Sequence, residues 1–213
     1  MTALFPEFDK TTSLQANSVS MSRGGSTLFE GVNAHINASD VLWIKGDNGI
    51  GKTTLLEAFA GLSRPETGTM TWSSNDIDAP ANRIAAYQPH NSFAKPALTA
   101  KEDLRFWAQL YGTASKVNEA LNSVGLKDRY SIPSRGLSAG QLKRLSLAKL
   151  ILSQKPIWIM DEPDSAMDKS GTTLIESLVE QHLIRGGSVI IASHKPPQKL
   201  GANTRSLTLR GAA

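Results

Sequence analysis

The densest chemistry in the chain lies in nine consecutive residues, Gly46-Asp47-Asn48-Gly49-Ile50-Gly51-Lys52-Thr53-Thr54. They follow the apolar run Val41-Leu42-Trp43-Ile44 and precede Leu55-Leu56-Glu57-Ala58-Phe59, whose apolar residues have helical spacing. The expected order is a buried strand, a glycine-rich turn and a helix start. Glycine reaches backbone torsions closed to other residues and leaves space for phosphate oxygens. Backbone N–H groups at the helix start then converge on an anion, assisted by the positive end of the helix dipole. Lys52 supplies a cation for the outer phosphates, and the Thr53 hydroxyl is placed to ligate Mg²⁺. The stretch fits G-x-x-x-x-G-K-[ST] at every fixed position. It implies binding of nucleoside triphosphate phosphates.

Three further groups stand just after apolar runs. Asp161 and Glu162 end the run Ile157-Trp158-Ile159-Met160, Gln88 ends Ile84-Ala85-Ala86-Tyr87, and His194 follows Val189-Ile190-Ile191-Ala192. Side chains alternate along a strand, so the two adjacent carboxylates point in different directions. Asp161 is expected to approach Mg²⁺, usually through water, and Glu162 to act as base toward the attacking water. Gln88 is a neutral ligand for Mg²⁺ or water, and His194 a γ-phosphate contact. Either residue alone would be an ordinary hydrogen-bonding group. A second helix start is at Leu137-Ser138-Ala139-Gly140-Gln141, where Ser138 and Gln141 form an S-x-x-Q capping box. Capping alone does not explain Ala139-Gly140, which leave the first turn nearly bare. A phosphate held on another surface could approach such a turn closely.

The elements that must position these groups alternate between strand and helix. That pattern predicts an α/β fold with a mostly parallel core sheet, in which ligands gather at the carboxyl ends of strands. Residues 1–12 read as a loose extension and 13–213 as one domain. In residues 13–89, short strands from Leu14 to Ile36 turn at Ser22–Ser26 and form an antiparallel β subdomain beside the phosphate loop. The helix after that loop is expected to end at Gly61. Thr69–Trp72 is a further strand, and Ser73 to Asn82 a polar loop. Residues 90–135 carry no strand signal and form a helical insertion. There Thr99 and Glu102 make a capping box, and Phe106 and Trp107 read as core residues, with an aromatic ligand box as the alternative. Residues 136–213 hold the second helix start, the paired carboxylates and His194.

At 213 residues the chain is long enough to bury a sizeable core. It has no apolar run long enough for a membrane span, and Met1 to Gln15 lack the apolar core of a secretory signal. Cysteine is absent, which removes disulfides and thiolate metal sites and fits a reducing cytoplasm. The net charge of +4 is spread along the chain, and no nucleic-acid partner is expected.

Taken together the motifs resemble the nucleotide-binding subunits of ABC (ATP-binding cassette) proteins. Gly46–Thr54 is similar to Walker A, Gln88 to the Q-loop and Leu137–Gln141 to the signature. Ile157–Asp161 with Glu162 is similar to Walker B, Ser165-Ala166-Met167-Asp168 to the D-loop and His194 to the switch histidine. The resemblance implies ATP and Mg²⁺, with Thr53, Gln88 and Asp161 serving the metal and Lys52, Glu162 and His194 the reaction. It also implies a head-to-tail dimer in which Leu137, Ser138, Ala139, Gly140 and Gln141 act on the nucleotide of the other copy, with Asp168 reporting across the interface. Three positions depart from the family pattern. Ala139 replaces a glycine, Ile50 is bulkier than usual, and the aromatic that stacks on adenine is missing near Met21-Ser22-Arg23, where Arg23 could stack instead.

Several stretches, among them Gly61–Pro65, Gly68–Trp72, Leu98–Leu104 and Ser193–Pro196, are similar to the cytochrome c maturation branch of the family. That implies integral-membrane permease partners, a peripheral location on the cytoplasmic face of the inner membrane, and ATP hydrolysis coupled to haem handling or release of a haem-loaded chaperone. No direct haem binding is expected. The alternatives are the ATPase of another ABC exporter and a soluble ABC scaffold or clamp with low turnover.

Overall fold

The runs Val41–Lys45, Ile157–Asp161 and Ser188–Ala192 become core strands, the last two buried at every residue and the first at all but the half-buried Trp43 and Lys45. The computed structural model describes residues 4–75, 77–91, 94–193 and 203–211. In chain order the strands are β1 (Ser13–Arg23), β2 (Ser26–Asn37), β3 (Val41–Lys45), β4 (Thr67–Ser74), β5 (Ile77–Asp78), β6 (Ala85–Gln88), β7 (Ile157–Asp161), β8 (Ser188–Ala192) and β9 (Thr204–Thr208). The helices are α1 (Lys52–Phe59), α2 (Ala81–Ile84), α3 (Ala100–Leu110), α4 (Val117–Ser123), α5 (Ala139–Ser153) and α6 (Lys169–Ile184). Strands β6-β7-β8-β3-β9 make a parallel sheet, and β2-β1-β4-β5 an antiparallel one.

Two apolar clusters divide the parallel sheet between its faces. Ile157 and Ile159 of β7 pack with α1 and the antiparallel sheet, whereas Trp158 and Met160 pack with α3, α4, α5 and α6. Period two along the strand therefore decides which cluster each side chain joins. It also puts Asp161, two residues beyond Ile159, on the α1 side. Helix α1 stops where expected. Gly61 takes φ 71°, its N–H bonds to the Ala58 carbonyl, and Leu62 N–H bonds to the Glu57 carbonyl, a Schellman stop. Both predicted capping boxes form, at Thr99/Glu102 and Ser138/Gln141. A buried ion pair, Lys149 Nζ to Asp103 Oδ2 at 2.6 Å, fastens α3 to α5. Burial holds the Lys149 pKa below its usual range, against the pull of Asp103.

Four expectations need correction. Residues 4–12 have no regular structure, yet they are not loose: Leu4 and Phe5 are buried, the Leu4 carbonyl accepts from Gln154 Nε2 (2.7 Å), and Phe8 N–H donates to the Arg185 carbonyl (2.8 Å). Strand β9 was not anticipated; it pairs with β3 at the sheet edge. The loop after β4 contains short strand β5 and one-turn helix α2. Phe106 is exposed and Trp107 only half-buried, because Ala100, Leu104 and Ala108 form the inward stripe of α3 and Phe106 lies off it.

Candidate nucleotide site

Strand β3 delivers the glycine loop to the N-terminus of α1. Gly51 is the N-cap with φ 105°, and no side chain caps the helix. Two constraints require glycine there. Its φ is left-handed, and a Cβ would lie 3.0 Å from the Phe29 ring and 3.2 Å from Leu28 Cβ. The crowding at Gly51 thus comes from the chain itself. Ile50 folds over Gly46, where a Cβ would meet Ile50 Cγ2 at 2.9 Å, and packs with the cluster containing Leu209. Its bulk is accommodated there and does not line the cavity. Lys52 Nζ donates to the carbonyls of Gly46 (2.8 Å) and Asp47 (2.9 Å). The ammonium is held inside the arc of its own loop, in hydrogen bonds that phosphate oxygens could replace.

A cavity of about 420 Å³ opens over this helix start. It is lined by Arg23, Leu28, Asn48, Gly49, Gly51, Lys52, Thr53, Thr54, His90 and Glu162, and its size suits a small ligand. Arg23, the candidate for stacking on a base, is therefore on the same wall system as the phosphate loop.

The carboxyl end of β7 supplies both acids. Asp161 is buried and accepts a 2.7 Å hydrogen bond from Thr53 Oγ1, joining β7 to the first turn of α1. Tyr87, on the same sheet face, places its hydroxyl 3.5 Å from the same Asp161 oxygen. Burial first, then the negative charges of Asp161 and Glu57, push the Tyr87 pKa up, so this phenol stays protonated. Gln88 follows Tyr87 and so falls on the opposite face by alternation. It is almost fully buried, and neither atom of its amide has a hydrogen-bond partner among the described residues. The structure thus brings Thr53 and Asp161 together, but makes no hydrogen bond from Gln88 to either. A hydroxyl paired with a carboxylate is an oxygen donor set that fits a hard cation, whereas the Gln88 amide lies on the other face of the sheet.

Glu162 lies just past β7 with φ 46°. Its carboxylate is 3.1 Å from His90 Nδ1 on the segment after β6. Its carbonyl accepts from Lys143 Nζ at 2.9 Å. Burial lowers the Lys143 pKa, and the nearby carboxylates of Asp161, Glu162 and Asp164 oppose that shift. The residue-by-residue reading missed His90 and Lys143. The signal for His90 was its place two residues after Gln88, and for Lys143 its place one turn inside the Ser138 helix. His194 lies outside the described residues; Ser193 before it donates to the Asp164 carboxylate at 3.1 Å.

The second helix start forms a separate cavity of about 410 Å³ lined by Ser138, Ala139, Gly140, Gln141, Arg144, Ala166, Met167 and Asp168. Ser138 Oγ accepts from Gln141 N–H (3.3 Å), and Gln141 Oε1 accepts from Ser138 N–H (2.9 Å). Gly140 also has a local reason to be glycine, since a Cβ there would sit 3.1 Å from the Ala166 carbonyl. Asp168 caps α6, accepting from Gly171 N–H at 2.7 Å, and that bond together with Ser170 holds its pKa down. Leu137, before the cap, is buried in the helical cluster.

A parallel sheet in which an inner strand runs through a glycine loop into an uncapped helix, with a strand ending in acid two places along the sheet, defines the P-loop class of nucleoside triphosphatases. Residues 29–165 match the ABC transporter family. The cytochrome c biogenesis ATP-binding export protein CcmA of Rhodopseudomonas palustris is 38% identical over 192 residues, covering 90% of this chain and 94% of that protein. The CcmA of Haemophilus influenzae is 39% identical, covering 85% and 89%. Among solved structures, a dimeric post-hydrolysis state of an ATP-binding cassette bound to ADP and Pi superposes with a TM-score of 0.80 at 20% identity, covering 92% of this chain and 94% of that one. The chain belongs to the ABC transporter family, among its CcmA-type ATP-binding members, and is an ATPase of that family.

Proposed function

We propose that this chain is the ATP-hydrolysing subunit of a membrane export complex in cytochrome c biogenesis. It works as a head-to-tail pair on the cytoplasmic face of the inner membrane, docked on integral-membrane permease subunits, and its work is haem handling or release of a haem-loaded chaperone. One observation carries the catalytic part: the phosphate loop, the Thr53–Asp161 pair and Glu162 meet at one end of the parallel sheet. The biogenesis part is supported by the shared name of the CcmA relatives. Among the described residues no helix is long and apolar enough to cross a membrane.

In this reading the amides at the start of α1 and the Lys52 ammonium bind the β- and γ-phosphates of ATP. Lys52 exchanges its two loop carbonyls for phosphate oxygens as it does so. Thr53, Asp161 and Gln88 would hold Mg²⁺, which would supply positive charge against the phosphates. Glu162 takes a proton from the attacking water onto a carboxylate oxygen, and His194 contacts the γ-phosphate. The Arg23 guanidinium stacks on the base. Ser138, Ala139, Gly140 and Gln141 of the second copy close the site over the γ-phosphate, with Asp168 beside the joint. ATP and water leave as ADP and phosphate.

The test uses Glu162→Gln. The variant should bind ATP and accumulate as an ATP-bound dimer with turnover lowered by roughly 10²–10⁴, the range for loss of a general base. Near-normal hydrolysis would remove Glu162 from the role. Copurification of permease subunits from solubilised membranes tests the rest; recovery only as a free protein would count against the membrane complex.

A further inference from the structure

Glu162 is a non-glycine residue in the left-handed region, with φ 46°. Such a residue persists only where its surroundings over-determine it. Here both polar groups of its backbone are tied. Its N–H donates to the Ala192 carbonyl on β8 at 2.8 Å. Its carbonyl accepts from Ser165 N–H (3.2 Å), Ser165 Oγ (2.9 Å) and Lys143 Nζ (2.9 Å). The Ser165 bonds close a local turn, whereas Lys143 reaches the carbonyl from α5. Lys143 is buried, so its ammonium gives up water to make this bond. It stands one turn inside the helix that begins with Ser138–Gln141, and it does not line the phosphate cavity.

We infer that Lys143 is a positioning residue for Glu162, fixing the peptide at residue 162 so that the carboxylate faces the phosphate cavity. The inference rests on the reading of Glu162 as the base. It gives α5 a direct mechanical hold on that base within one protomer. Rotation of the 162 peptide would swing the carboxylate off the attacking water without disturbing Lys52 or Thr53. A change in Lys143 should therefore be read in turnover and not in ATP binding.

The experiment compares the full-length wild type with Lys143→Met, Lys143→Gln, Lys143→Arg and Glu162→Gln. It measures kcat, KM and equilibrium binding of a fluorescent ATP analogue. Displacing a catalytic group by about 1 Å costs on the order of 10²-fold, so Lys143→Met should lower kcat by about 10- to 100-fold. KM and analogue affinity should stay within about two-fold of wild type, because the phosphate loop is untouched. Lys143→Arg, still able to donate to the carbonyl, should recover most of the loss. If Lys143→Met does not fold, Lys143→Gln is read against the same criteria. Turnover of the Met or Gln variant within about two-fold of wild type would overturn the proposal, as would a fall in binding equal to the fall in kcat. A Glu162→Gln variant that hydrolyses normally would sink the reading beneath the proposal as well. An inactive Glu162→Gln beside a fully active Lys143→Met would sink the proposal alone.

Discussion

Helices α1 and α5 both point a first turn at a cavity, but the two starts are built differently. The α1 start has Gly51 as N-cap and no capping side chain, so its amides are not claimed by a cap. The α5 start is closed on itself by the reciprocal Ser138–Gln141 box. The first is made to receive an anion from within its own protomer, beside Lys52, Thr53 and Asp161. Around the second, the described lining beyond the helix start itself is Arg144, Ala166, Met167 and Asp168, without a lysine. An uncapped helix start offers its first amides to water or to a ligand, whereas a capped one has already engaged part of them. Under the proposed function, that difference would suit α1 to bind nucleotide first and α5 to join when a second copy brings its nucleotide to it.

The largest expected effect breaks the α1 half. Lys52→Ala should reduce ATP affinity and turnover together, with a loss in kcat/KM on the order of 10²–10³ or more, as for removal of a charged transition-state donor. Retained tight ATP binding would show that the amides alone suffice. Next comes Ser138→Ala, which should lower turnover by at least about 10-fold, leave ATP affinity of the isolated chain unchanged and cost about 1 kcal/mol of stability from the lost cap. Thr99→Ala is its control. It removes the same type of capping box from α3, away from both cavities, and should cost the same ~1 kcal/mol by chemical denaturation with turnover intact. Equal effects of the two on hydrolysis would mean that Ser138 is only a cap. The smallest change is expected from His90→Ala, which removes one half-exposed contact to Glu162. A hydrogen bond is worth ~1 kcal/mol, so turnover should change about five-fold at most, with ATP affinity preserved.

Legibility in the sequence followed how local each signal was. The strand–loop–helix unit at 41–59 and the two capping boxes depend on residues within one turn of each other, and these features formed as read. Strands β7 and β8 were visible because burial on both faces demands unbroken apolar runs. Strand β9, Thr204–Thr208, has Leu207 as its one large apolar residue. It is an edge strand held by backbone pairing to β3, and backbone pairing leaves little mark on composition. Leu4 and Phe5 were overlooked for a similar reason: the apolar residues Met1, Ala3, Leu4, Phe5 and Phe8 follow no regular period around Pro6, and the surfaces that bury Leu4 and Phe5 come from much later in the chain. Phe106 could have been placed correctly, since the spacing of Ala100, Leu104 and Ala108 already puts it off the buried stripe. The contacts of His90 and Lys143 with Glu162 are tertiary; spacing marks both residues only as neighbours of Gln88 and of the Ser138 helix start, and does not show that they meet Glu162.

The central claim is that the α1 start of one copy and the α5 start of another form a single ATP site. The chain contains no cysteine, so two variants, Asn48→Cys and Ala139→Cys, each carry a single thiol. Mixed, and oxidised with ATP in a Glu162→Gln background that prevents turnover, they should form a disulfide-linked heterodimer joining the two positions. Without ATP they should not. Failure to cross-link under ATP, with both variants folded and ATP-bound, would contradict the account.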